Sequence, residues 1–185
     1  MAKGRRKSRR KQINPTFWVF CEGETEESYI NFLRGHYRIP SIQIHSRVKG
    51  NSISSNYITS YKQDKPTHEK DINYLVYDLD VEGMHAKLKE IDDCTLLVSN
   101  PCIELWFLLH YKNQRASADS KYCCKELNNR NKKYSKGIID KKLQEKLKDK
   151  SKDAIERAKK LPKFNNPSSS IYLFLETLED LKKNH

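Results

Sequence analysis

The chain has no apolar run near the ~18 residues that a membrane-spanning helix requires. Its basic N-terminus is followed by neither the apolar stretch nor the small-residue cleavage site of a secretory signal. A soluble, cytoplasmic protein is therefore the expectation. No C-x-x-C pair is present, and the cysteines are odd in number: Cys21, Cys94, Cys102, Cys123 and Cys124. That pattern argues against a disulfide framework and against a zinc ribbon. The first three lie within apolar segments, where a reduced thiol packs as a small hydrophobe, so a reducing setting without a zinc site is expected. There is no internal repeat. The first eleven residues contain no acid.

What those eleven residues do contain is Lys3, Arg5, Arg6, Lys7, Arg9, Arg10 and Lys11. The formal net charge of the chain is +12, and removing these seven charges leaves +5. So dense a basic block does not fold by itself and attracts polyanions through counterion release. Nucleic acid is thus the leading partner for Lys7, Arg9 and Arg10, the alternative being a solubilising tail. Residues 1–14 are read as a disordered arm, and residues 15–185 as a single domain.

Apolar residues are 36% of the chain and charged residues 32%, so the core has to be concentrated in a few segments. Phe17–Cys21 is aromatic and β-branched without polar alternation and runs into Glu22-Gly23, which predicts a buried strand ending at a turn. Gly23 is expected to supply that turn through a positive φ. A helix follows over 24–34, with Thr25 as the cap and acids in its first turn. Residues 41–48 alternate as a half-exposed strand does, and a helix is expected around 54–63. Asp71–Asp78 is a second apolar run stopping at carboxylates, with helical spacing over 81–91 behind it. Thr95–Ser99 forms a third strand; Asn100-Pro101 then breaks the chain before a buried helix over 103–111 with Pro101 in its first turn. Alternating strands and helices imply an α/β fold with a mainly parallel sheet flanked by helices. From 112 to 163 the chain is Lys-rich with sparse apolar positions, the pattern of exposed amphipathic helices. A closing helix over 171–181 follows the Asn166-Pro167-Ser168 start signal.

Two strands end in acids: Glu22, Glu24 and Glu26 at the first, Asp78 and Asp80 at the second. In an open parallel sheet, ligands bind at the carboxyl ends of the strands. Carboxylates gathered there repel one another, and Mg²⁺ or Mn²⁺ relieves that repulsion while leaving positions for phosphate oxygens. Asp78 and Asp80, two apart, would project to one side if the strand continued. No Ser, Tyr or Cys arrangement argues for a covalent route. Lys121, Lys125, Arg130, Lys132, Lys133 and Lys136, interleaved with Tyr122 and Tyr134, could grip a phosphate backbone and stack a base; a solvated helical face is the other reading.

In order along the chain, Cys21-Glu22-Gly23-Glu24-Thr25-Glu26-Glu27, Tyr77-Asp78-Leu79-Asp80, Ser99-Asn100-Pro101-Cys102-Ile103-Glu104-Leu105-Trp106-Phe107-Leu108-Leu109-His110-Tyr111 and Asn166-Pro167-Ser168-Ser169 resemble the RloB (AbiLii-like) proteins. The resemblance runs from about Phe17 to the C-terminus. It implies a Toprim-like, Rossmannoid fold carrying a basic helical C-terminal part, and a role in bacterial anti-phage or abortive-infection defence. It also implies an AAA/ABC-type ATPase partner. Carried onto these positions, it makes Glu22 a general acid/base or metal ligand, and Asp78 and Asp80 the metal-binding pair. Glu26 either joins the catalytic acids or is a first-turn helix residue. Glu104 is a further candidate for the cleft, and His110 is either a candidate or a helix-end core histidine. Where many members carry another acid or base after the second aspartate, this chain has Val81 and then Glu82-Gly83. The implied activity is Mg²⁺- or Mn²⁺-dependent hydrolysis of RNA (tRNA included) or DNA. The rival is a non-catalytic nucleic-acid-binding or partner-regulating module on the same fold. Oligomers are compatible with either.

Overall fold

Strand β1 (Thr16–Cys21) is buried along its whole length because it is covered on both faces. Phe17, Val19 and Cys21 point to one side and Trp18 and Phe20 to the other, as the two-residue period of a strand requires. This is why its sequence shows no alternation. In the computed structural model, which describes residues 14–183, it lies in a five-stranded sheet of order β2-β1-β3-β4-β5. The other strands are β2 (Gln43–Val48), β3 (Ile72–Asp78), β4 (Cys94–Asn100) and the two-residue β5 (Ser168–Ser169). The first four run parallel, and β5 pairs antiparallel with β4.

Helices cover both faces. On one side lie α1 (Glu24–Tyr37), α4 (Ile103–Leu109), α5 (Ser120–Arg130), α6 (Lys141–Asp149), α7 (Ser151–Lys159) and α8 (Tyr172–Lys183); on the other lie α2 (Ser55–Lys62) and α3 (Met84–Lys89). The expected α/β architecture is therefore what forms, with apolar clusters on both sides of the sheet. The Lys-rich stretch forms the amphipathic helices expected of it, and their sparse apolar positions join the main core instead of making a second one. Leu127, Leu143, Leu147, Ala154, Ile155 and Ala158 are buried in the cluster that holds Phe17, Trp106 and Phe174. Each of these helices turns a narrow apolar stripe inward and its lysines outward.

The strand order places the functional end of the sheet. The chain passes from β1 to β2 in one direction and later returns to lay β3 on the opposite side of β1. The order therefore reverses between β1 and β3, and the crevice beyond their carboxyl ends is where such sheets bind ligands. Glu22 and Asp78 stand at those two ends.

Several local expectations are corrected. Gly23 has φ −142° and ψ −171°, extended rather than left-handed. Thr25 is not the cap of α1: Gly23 takes the N-cap position, and the Thr25 hydroxyl accepts from the Gly137 N–H at 2.9 Å. Pro101 precedes α4, whose N-cap is Cys102, and the Asn100–Pro101 and Asn166–Pro167 bonds are cis. The basic arm with Lys7, Arg9 and Arg10 lies outside the described residues. No helix among those described is long and apolar enough to cross a membrane.

Candidate metal centre

β1 and β3 deliver their terminal acids side by side. The Glu22 N–H donates to Val76 O at 3.0 Å, extending the sheet by one residue, and the Glu22 carboxylate accepts from the Asp78 N–H at 2.9 Å. Asp78 in turn accepts from the Ile103 N–H at 2.8 Å, which ties the tip of β3 to the start of α4. The next residue of that helix, Glu104, is 1% exposed, and its side chain enters the same space. Here Glu22, Glu26, Asp78 and Glu104, with Lys136, line a cavity of about 340 Å³.

Glu26 serves both readings made for it. It is a first-turn residue of α1 whose Oε2 accepts from the Gly23 N–H at 2.9 Å, satisfying a helix-terminal donor. It is also buried on the cavity wall. The glycine beside it is explained by proximity: a Cβ at position 23 would stand 3.1 Å from Glu26 Oε2.

The segment after α5 closes the cavity. The Tyr134 hydroxyl donates to Glu104 Oε1 at 2.9 Å, and Lys136 Nζ lies 3.8 Å from the same oxygen. Gly137, at φ +79°, receives the Ser28 hydroxyl on its carbonyl at 2.6 Å and donates to Thr25. The loop is thereby stitched to the first turn of α1. Tyr134, read as a base-stacking residue, is instead committed to Glu104. Glu104 Oε2 is buried with no N–H or O–H donor on it; beside the carboxylate lies the Cys124 thiol, whose pKa burial and Glu104 raise.

Asp78, Cys102 and Glu104 each place one donor atom within 4.8 Å of the other two. Cys102 was read from sequence as a packing residue, and it is one, buried against Leu105, Ala118 and Cys123, with its Sγ also near the two acids. Its thiol pKa is raised by a hydrogen bond with Cys123 and by burial. The carboxyl of Asp78 is driven well above its ordinary value by desolvation, then by Glu26, Glu104 and Glu22. Burial likewise raises Glu22, against the Asp78 N–H bond, and raises Glu26 against its own backbone bonds. An unpaired buried acid oxygen, three converging donors and carboxylates forced towards protonation describe a wall whose acids outnumber its one lining cation, Lys136. A divalent cation fits that donor set. The oxygens suit Mg²⁺ or Mn²⁺, and the thiol, if ionised, shifts preference towards the softer ions.

Asp80 lies just beyond the strand, where its charge still helps to raise Asp78 and Glu22. β3 ends at Asp78, so the two aspartates do not share a strand face. Asp80 is exposed, accepts from the Ser120 hydroxyl at 2.9 Å and lines a neighbouring cavity of about 600 Å³ with Asn100, Lys121 and Asn166. His110 is not brought to the acids. It is 2% exposed beneath Trp106, with Nδ1 2.9 Å from the Trp106 carbonyl, and desolvation lowers its pKa to about 4. It is the core histidine of its two readings. Of the expected phosphate-gripping residues, Lys125, Lys132 and Lys133 are exposed. Arg130 is instead engaged by Glu126 at 2.8 Å.

The family model described as RloB-like protein matches residues 17–178, most of the chain. No curated protein and no solved structure matches it.

Proposed function

The chain belongs to the RloB-like proteins, and from that premise we propose that it is a metal-dependent nuclease of bacterial anti-phage defence. In this reading it hydrolyses phosphodiesters of RNA or DNA at the cavity between β1, β3 and α4, on a Toprim-like variant of the parallel sheet. The observation that carries the reading is the convergence of Asp78, Cys102 and Glu104 beside an unpartnered, buried Glu104 oxygen at the switch point of the sheet.

Asp78 and Glu104 would hold a divalent cation, with Glu22 alongside and Cys102 able to join them. Bound there, the ion supplies Lewis-acid polarisation of a phosphate oxygen. The chain's own groups do the rest. Glu22 is fixed by the Asp78 N–H with its carboxylate on the cavity wall, and its raised pKa suits it to take a proton from an attacking water. Lys136, with a side chain 63% exposed, brings the cavity a cation that can meet a phosphate or the leaving oxygen. The Tyr134 hydroxyl holds Glu104 in one orientation. Control by an AAA/ABC-type ATPase belongs to the same proposal, supported by the family resemblance.

The test is metal binding by calorimetry beside cleavage of RNA and DNA with Mg²⁺ or Mn²⁺. The wild type should bind and cut, while Glu104→Gln, which removes a direct ligand, should lose more than the roughly 10–100-fold in metal affinity that an outer-shell change costs, and cut correspondingly less. A wild-type protein that binds neither ion and cuts neither polymer would sink the reading.

A further inference from the structure

The face of the sheet covered by α2 carries a second concentration of chemistry, remote from the Lys-rich helices. Edge strand β2 turns His45 and Arg47 to this side, both exposed. In the parallel register they stand beside Trp18 and Phe20 of β1. His45 stacks on the buried Trp18 with ring centroids 5.3 Å apart. From α2, Tyr57 and Tyr61 stack on each other at 5.9 Å. Lys49 Nζ stands 4.3 Å above the Tyr57 ring, Lys65 Nζ 4.0 Å above the Tyr61 ring, and Lys62 Nζ 5.6 Å from that of Trp18. The Arg47 guanidinium is stabilised in its charged form by Tyr57.

Cations held over aromatic faces are partly ordered before any ligand arrives, which lowers the entropy lost when they bind one. Acids lie near two of them: Asp71, which accepts from the Thr16 N–H and the Trp18 indole, acts on Lys62, and Glu27 of α1 acts on Arg47. Lys49 and Lys65 stand over their rings, so Arg47, Lys49, Lys62 and Lys65 present more positive charge than these acids offset.

The row leads to the acid cavity. Lys49 follows the last residue of β2 and its N–H donates to Cys21 O at 2.9 Å, one residue before Glu22. A Cβ at Gly50 would lie 3.8 Å from Glu22 O, and the Gly50 carbonyl accepts from the Tyr77 hydroxyl at 3.0 Å. The cationic surface and the candidate metal centre thus meet at the tip of β1.

We propose that the β2–α2 face, with Arg47, Lys49 and Lys65 as phosphate contacts and His45 and Tyr61 as stacking groups, binds a single-stranded nucleic acid and delivers it to the cavity at Glu22. Phosphates match the charges, and an unpaired base can stack on the exposed His45 ring and the half-buried Tyr61 ring as duplex bases cannot. The inference deepens the nuclease reading and rests on it for the purpose of delivery, but the binding itself needs no metal.

The experiment measures binding of labelled 20-nucleotide single-stranded RNA, single-stranded DNA and duplex DNA to the full chain in EDTA over a salt series. It uses the wild type, the triple variant Arg47→Ala/Lys49→Ala/Lys65→Ala and a control of equal charge change, Lys141→Ala/Lys148→Ala/Lys152→Ala. Melting curves verify that all fold. At about 0.7 per neutralised phosphate, the slope of log affinity against log salt on single strands should become shallower by about 2 in the first triple, with an affinity loss of roughly tenfold or more, and stay unchanged in the control. RNA bound more tightly than DNA, or the reverse, identifies the source of the strand. Equal losses in both triples would show that net charge alone is responsible, and an unchanged slope in the first would remove the surface from binding; either overturns the proposal. Tighter binding of duplex than of both single strands would overturn it too. Cleavage assayed in parallel separates the two readings: loss of strand binding in the first triple with no cleavage by any protein would support the surface while the nuclease reading fails.

Discussion

Asp78 and Asp80 are the same residue type two positions apart, and the fold gives them opposite environments. Asp78 closes strand β3, accepts from the start of α4, and is crowded by Glu22, Glu26 and Glu104 until its carboxyl resists ionisation. Asp80 has left the sheet, is exposed, and accepts from a serine hydroxyl on the wall of a different cavity. The difference lies in where the strand stops. The strand assignment ends at Asp78; the Leu79 N–H still donates to the Ser99 carbonyl at 2.8 Å, and Asp80 lies beyond that last bond. Spacing by itself therefore does not define a ligand pair.

The contrast predicts unequal substitutions. Asp78→Asn should lower metal-dependent cleavage by roughly a thousandfold, since several kcal/mol of metal-borne stabilisation correspond to about that factor. Asp80→Asn, which alters an exposed hydrogen bond, should change it by less than about tenfold. Steady-state cleavage of one labelled RNA or DNA decides this, and equal losses at both positions would restore them as a joint ligand pair.

Acid crowding also makes a prediction about stability without metal. Groups whose pKa is raised on folding stabilise the fold fully below their unfolded values, and that contribution is lost as pH rises through the folded values. Asp78, Glu22 and Glu26 are all raised. In EDTA, Asp78→Asn should therefore gain in melting temperature relative to the wild type, by an amount that grows as pH is raised from the ordinary carboxylate range to neutrality. A gain that is flat across pH would show that Asp78 is not crowded in solution.

The smallest effect concerns the geometry of the wall. Gly23→Ala keeps an allowed backbone but pushes against Glu26 Oε2, a flexible group that can retreat only by weakening its bond to the residue-23 N–H. A loss of about 1 kcal/mol, or roughly 2–4 °C in melting temperature, is expected. Thermal denaturation measures it, and an unchanged melting temperature would show that Glu26 does not depend on that close approach.

What sequence alone determined was the strand–acid–helix recurrence, and with it the sheet and the sites of Glu22 and Asp78. Burial on both faces leaves an uninterrupted apolar run, and strand ends in such sheets open onto a crevice. The family was legible for a related reason: Asn100 to Tyr111 sets a thiol at the N-cap and an acid in the first turn of a short helix whose other residues, Trp106 and Phe107 among them, are apolar and buried. The tertiary structure alone decided which acids meet. Glu104 enters the cavity because α4 starts against Asp78, and Tyr134, Lys136 and Gly137 reach it across more than a hundred residues of chain from α1. It also set Asp80 on the wall of the adjoining cavity, put His110 beneath Trp106, and gathered the β2–α2 cations at the tip of β1. Hydrophobic periodicity reports which side of an element is covered; it carries no information on which distant loop covers it, because that choice is made by packing among elements that are far apart in the chain.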